Sequence, residues 1–167
     1  MSAWPKQSAM SAFYGNPDTN HDGMPDAAWE AANLISIKSP YRMVLAWDPS
    51  RTVSTIRVHK KCADSLLRVL TAIKAHYGTQ EEIDAARMHL YGGCYNFRLM
   101  RGGSSLSIHS WGAAIDLDPE RNGLGVTYNP AKGMMPQAVI DAFAAEGWVW
   151  GGKWSRPDGM HFQAAVV

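Results

Sequence analysis

The chain has 167 residues, of which 46% are hydrophobic and 19% charged, a balance that describes a folded domain and excludes an intrinsically disordered one. Sixteen Lys and Arg against fifteen Asp and Glu leave a net charge of +1, so bulk charge offers no basis for binding nucleic acid or an anionic membrane. No run approaches the roughly 18 uninterrupted apolar residues of a membrane span.

The opening residues, MSAWPKQSAMSAFYG, lack the apolar stretch of a secretory signal. The expectation is a protein made in the cytoplasm, without membrane insertion, that another agent must release if it acts outside. A chain of this length buries one core, and no linker or repeat divides it. A single domain over residues 1–167 is expected, with residues 1–35 as an arm lying over it.

That arm is rich in Pro, Gly, Asn and Asp. Within it, Asp18, Asn20, Asp22 and Asp26 with Gly23 follow the first nine positions of a calcium loop. The twelfth position is Trp29 rather than an acidic residue, so a polar turn competes with a Ca2+ site here. A helix over 27–34 follows, with Asp26 as its cap. Residues 41–47 (YRMVLAW) form a β-prone run bounded by Pro40 and by Asp48-Pro49. A second strand is expected over 53–58, where β-branched residues dominate.

Over 59–77, Cys62, Leu66, Val69, Leu70, Ile73 and Tyr77 recur at three- and four-residue steps, and Gly78 supplies a stop. This is an amphipathic helix packed against a sheet. Cys62 lies on its apolar stripe and reads as a buried thiol. Cys94 sits in a Gly-rich stretch, and a reducing compartment does not favour pairing the two.

Aromatic residues and glycines alternate over 88–98, and residues 101–105 (RGGSS) form a flexible loop. A further helix is expected over 136–146, opened by Pro136 and ended by Gly147. Residues 148–150 and 159–166 read as closing strands. Interleaved helices and strands with short links indicate an α+β fold, a small antiparallel sheet with packed helices.

The segment from Ser107 to Asp118 (SIHSWGAAIDLD) carries the chemistry. Trp111-Gly112 permits a tight reversal after His109, and a strand then runs over 113–117. Its alternation puts Ile115 and Leu117 toward the core and Ala114, Asp116 and Asp118 on the other face. His109 can then face Asp116 across the turn. An imidazole and a carboxylate suit Zn2+, and His161 in residues 158–162 (DGMHF) supplies a third ligand from another strand. In that strand Met160 and Phe162 point inward. Two His and one carboxylate leave a coordination position open, as catalytic zinc sites do. His21, His59, His76 and His89 lack such neighbours and read as ordinary core or surface histidines. Trp148, Trp150 and Trp154 surround the last ligand and could line a peptide cleft or pack in the core.

Ser107-x-His109-x-x-Gly112-x-Ala114-x-Asp116, followed by Asp158-x-x-His161, resembles the LAS metallopeptidases. That group includes D-alanyl-D-alanine carboxypeptidases and dipeptidases and the L-alanyl-D-glutamate endopeptidases of bacteriophage lysis. The resemblance implies that His109, Asp116 and His161 bind zinc and that Asp158 is the general base. It implies that Arg98, with Arg101 as a rival, stabilises an oxyanion or a substrate carboxylate, and that Ser107 hydrogen-bonds substrate or the site backbone. Asp158 and His161 have opposite strand parity, so the chain must bend near Gly159 for both to reach the site.

The implied partner is bacterial peptidoglycan, and the implied activity is zinc-dependent hydrolysis of its stem peptides. An Asp at the base position, where many relatives have Glu, points to the endopeptidase branch and an endolysin. A carboxypeptidase or dipeptidase is the alternative within the enzyme class. Outside it stands a non-catalytic wall-binding module.

Overall fold

A computed structural model describes residues 3–167; Met1 and Ser2, part of the stretch read for a secretory signal, lie outside the described residues. The elements in chain order are α1 (Met10–Tyr14), α2 (Ala27–Asn33), β1 (Leu34–Ile37), β2 (Val44–Leu45), β3 (Asp48–Thr52), β4 (Ile56–His59), α3 (Ala63–Tyr77), α4 (Gln80–Ala85), β5 (Leu90–Gly93), β6 (Ala114–Leu117), α5 (Gln137–Ala145), β7 (Val149–Gly151) and β8 (Asp158–Gln163).

Six strands form one sheet in the order β3-β2-β5-β6-β8-β7, and β1 pairs with β4 in a second, two-stranded sheet. The architecture is the expected α+β. One detail differs from an all-antiparallel sheet: β2 and β5 run parallel, because the connection between them includes α3 and a crossover can return a strand in the same direction. None of the helices among the described residues is long and apolar enough to cross a membrane.

Helix α3 buries Leu66, Val69, Leu70 and Ile73, the stripe read from its periodicity. It starts at Ala63, later than residue 59, because His59 is the last residue of β4 and pairs with Leu34. Asp48 and Pro49, read as a boundary, begin β3, an edge strand on which a missing N–H is tolerated. Cys62 and Cys94 are both free and buried. Phe143 of α5 stacks on Phe162 of β8 with centroids 3.9 Å apart, which locks that helix under the central strands.

The N-terminal residues are tied to the body at several points. Gln7 N donates to Val166 O at 2.8 Å, Trp4 Nε1 to Glu146 O at 2.9 Å and the Tyr14 hydroxyl to Ala164 O at 2.7 Å. Met10 and Tyr14 are buried.

The loop over residues 18–26 uses its oxygens internally. Asp18 accepts from Asp22 N and Gly23 N, Asp22 from Met24 N, and Asp26 from Thr19 N and Oγ1. These are the side-chain-to-backbone turns that Asp favours. Of the two readings the polar turn is the supported one: among the described residues these carboxylates are not gathered into a metal-holding group, and they serve the loop's own backbone. Asp26 stands at the N-cap position of α2, but its side chain bonds Thr19 and makes no cap.

His59 is fully buried. The Lys61 N–H, which can only donate, lies 3.0 Å from its Nδ1, so Nε2 carries the proton and donates to Tyr14 O at 2.9 Å. Burial pushes its pKa down to about 4; the flanking Lys61 and Lys60 add to the shift and the bond to Tyr14 opposes it. The unfolded chain, with an ordinary histidine near 6.5, binds the extra proton between those two values. Stability from this residue is thus complete above the unfolded pKa and falls as pH drops toward 4, by up to on the order of 3 kcal/mol. Urea unfolding of the parent and of His59→Gln at pH 7 and pH 4.5 should show the smaller loss in the variant. An equal loss would assign the pH dependence to other groups.

Candidate metal centre

Strands β6 and β8 lie side by side with Asp116 opposite His161, which brings two residues 45 positions apart into contact. His109 arrives differently from the expected hairpin arm. It sits on a 3-10 turn, Ile108–Trp111, which Gly112 ends in the left-handed conformation at φ 68° before β6 begins. The Ser107 side chain accepts from His109 N at 3.3 Å and caps this turn. The result is a cluster in which one donor atom from each of His109, Asp116 and His161 lies within 4.8 Å of the others, all buried.

The protons of this cluster can be assigned from its surroundings. His109 Nδ1 is 2.7 Å from the carbonyl of Cys94, which can only accept, so Nδ1 carries the proton and Nε2 is bare. That Nε2 lies 3.3 Å from Asp116 Oδ2, yet it is buried without a hydrogen-bond partner. On the other side, His161 Nε2 is 2.8 Å from Gln163 Oε1, and its Nδ1 faces Asp116 Oδ1 at 3.2 Å. Two imidazole lone pairs therefore converge on a carboxylate. Such a set of acceptors is stable only around a cation or an added proton.

The electrostatics show how strongly this cluster favours positive charge. Burial by itself raises the Asp116 carboxyl, but His109 and His161 outweigh it and hold Asp116 well below the usual range. Burial by itself lowers His161, yet Asp116, Asp158 and the bond to Gln163 leave its pKa raised. Two imidazoles and one carboxylate are the donor set of catalytic zinc, so the residues present fit that ion.

Asp158 reaches the site through the bend that its parity demands. Trp150 pairs with Phe162 and Gly151 with Asp158, so one step along β7 spans four along β8 and the bulge lies between Asp158 and Phe162. Asp158 Oδ2 then lies 4.0 Å from His161 Nδ1. Its carboxyl is raised above the ordinary range, chiefly by burial, with Asp116 adding and His161, His109 and Arg98 opposing.

The cluster forms the floor of a cleft of about 230 Å³ whose walls include Arg98, Arg101, Arg156, Met100, Leu124 and Trp154. Arg98 and Arg101 both line it; the Arg98 guanidinium rests on Leu99 O at 3.3 Å. Three further polar lining residues escaped sequence reasoning: Arg156, Gln163 and Gln7. Gln7 lies far from the motifs, and Arg156, although two residues before Asp158, carries no signal of its own. Gln163 could have been found from strand alternation, since it shares the face of His161.

Other expectations are corrected. Asp118 does not share the Asp116 face: it lies past the end of β6 at φ 46° and receives both Arg87 Nε contacts at 3.0 Å. Met160 lines the cleft rather than the core. Of the three tryptophans, Trp154 alone lines the cleft, tilted against His161 at 5.6 Å. Trp148 is buried in the core with Nε1 on Ser65 Oγ, and Trp150 donates to Gly159 O.

An α+β domain with a buried His-Asp-His cluster on the floor of a cleft is a candidate metal-dependent hydrolase in class. Residues 101–164, under half of the chain, match the model of a zinc peptidase family described as D-alanyl-D-alanine carboxypeptidase. The matched segment contains His109, Asp116, Asp158 and His161, and the match supports a peptidase. No curated protein and no solved structure matches the chain.

Proposed function

We propose that this protein is a zinc-dependent peptidase that cleaves the stem peptides of bacterial peptidoglycan, acting as one unit over its whole length. The observation that carries the reading is the convergence of the bare His109 Nε2 and His161 Nδ1 on Asp116 beside a fourth residue, Asp158, that is not part of the donor cluster. A bound zinc ion supplies a Lewis acid that polarises a carbonyl and acidifies water.

The chain's own residues do the rest. Asp158, its carboxyl raised above the ordinary range chiefly by burial, takes a proton at Oδ2 and later returns it to the leaving amine. Arg98 or Arg101, on the cleft wall, offers a guanidinium to the developing oxyanion or to a substrate carboxylate. Ser107 holds the His109 turn in place through its cap. Trp154 and Met160 give the cleft an apolar side against which a peptide can lie.

The L-alanyl-D-glutamate bond is the preferred target and an endolysin the preferred setting, because the base position holds Asp. The description of the matching family favours a second reading, removal of terminal D-alanine. A non-catalytic wall-binding module is the reading outside enzymes, and it gives no role to Asp158.

Mass analysis of fragments released from purified peptidoglycan, with and without chelator, separates the three. New N-termini at D-Glu indicate the endopeptidase and free D-Ala the carboxypeptidase. Chelation is expected to stop release and zinc to restore it. Release unaffected by complete zinc removal would overturn the metal reading, and no release under any condition would overturn the enzyme.

A further inference from the structure

Gln163 follows His161 by two residues on β8 and is 1% exposed. All three of its polar contacts can be oriented. Its Nε2 lies 3.1 Å from the carbonyl of Ala165 and 3.3 Å from Oε1 of Gln7. A backbone carbonyl can only accept, so the amide NH2 must face Ala165 and the amide oxygen must face His161. That oxygen, 2.8 Å from His161 Nε2, can only accept in turn. The proton of His161 is thereby placed on Nε2, and the lone pair on Nδ1 turns toward Asp116.

We infer that Gln163 is a positioning residue for the metal: it holds His161 in the tautomer and ring orientation that present Nδ1 to the ion, and Gln7 from the N-terminal segment braces it. The inference rests on the zinc reading above. It extends that reading from the donor atoms to the chain that aims one of them, Ala165 carbonyl to Gln163 amide to His161 imidazole. It also gives the N-terminal segment a part in the site, because Gln7 is held by backbone pairing with Val166 and reaches the cleft wall. His109 has the equivalent support from the Cys94 carbonyl, which no side-chain substitution can remove. Gln163 is the replaceable half of the arrangement.

The test is zinc affinity of the full chain, measured by chelator competition, for the parent, Gln163→Leu and Gln163→Glu. Leucine fills the space without an acceptor, whereas glutamate keeps an acceptor at the same reach and, protonated on its other oxygen, a donor to the Ala165 carbonyl. Loss of an outer partner of a ligating histidine weakens metal binding by about 10- to 100-fold, and that loss is expected for Gln163→Leu, with Gln163→Glu within a few-fold of the parent. Nitrogen-15 NMR of the zinc-loaded parent should show the His161 proton on Nε2, and thermal melting of the metal-free proteins checks that both variants fold.

Equal affinity of Gln163→Leu and parent would overturn the inference while leaving the zinc site intact. So would equal weakening of the two variants, which marks a packing role alone. If Gln163→Leu does not fold, the protonated nitrogen in the parent decides, and a proton on Nδ1 overturns the assignment. A parent that holds no zinc would overturn the metal reading, and this inference with it.

Discussion

Asp158→Ala is expected to bind zinc within about threefold of the parent while peptide hydrolysis falls at least about a hundredfold, the usual contribution of a positioned acid–base group. The two effects separate because Asp158 lies 4.0 Å from the nearest ligand nitrogen and outside the cluster of converging donors. Burial holds its carboxyl above the ordinary range, which suits a group that must take up and release a proton near neutral pH. Zinc affinity by competition and release of peptidoglycan fragments give the two readings. Hydrolysis at the parent rate would remove Asp158 from the mechanism. Loss of zinc would mean that it serves as a ligand instead.

Gly112→Ala is expected to destabilise the fold by roughly 3 kcal/mol, through two separate costs. A side chain at φ 68° costs about 1 kcal/mol in the left-handed region. The added Cβ would also lie 2.8 Å from His59 N and 2.9 Å from Leu34 Cδ2, and overpacking of this kind costs about 1–3 kcal/mol. His59 N is backbone and is held by Gly112 O at 2.9 Å, so it has little freedom to move away. Because Gly112 N closes the turn on His109 O, the same change should weaken zinc binding. Gly78→Ala is the control: its φ is 80°, but a Cβ there meets nothing within 4 Å, so only the conformational cost applies. Urea unfolding compares the two, and equal losses would mean that the close contact at Gly112 relaxes freely.

The donor residues were legible because metal chemistry needs particular side chains at particular spacings. His109 and Asp116 could be joined by the Trp111-Gly112 reversal between them. The bend at Gly159 could be required from strand parity before its bulge was seen. The conformation around His109 was less legible: a hairpin arm and a 3-10 turn both satisfy a His followed three residues later by Gly. The loop over 18–26 read two ways for a similar reason, since carboxylates spaced to bind calcium are equally spaced to bind their own backbone, and here the backbone wins.

By itself, the sequence determined the α+β class, the α3 and α5 helices and the burial of Cys62, and it singled out the residues proposed here as metal donors and base. These follow from local periodicity, turn residues and the chemistry of side chains, which neighbours in the chain already express. Only the tertiary structure decided which ring nitrogens are bare, because that depends on acceptors brought from elsewhere, Cys94 O for His109 and Gln163 for His161. It likewise decided that Asp118 pairs with Arg87 and that Trp154, Arg156 and Gln7 wall the cleft. Such partners are separated by up to 156 residues, and no local pattern encodes a contact over that distance.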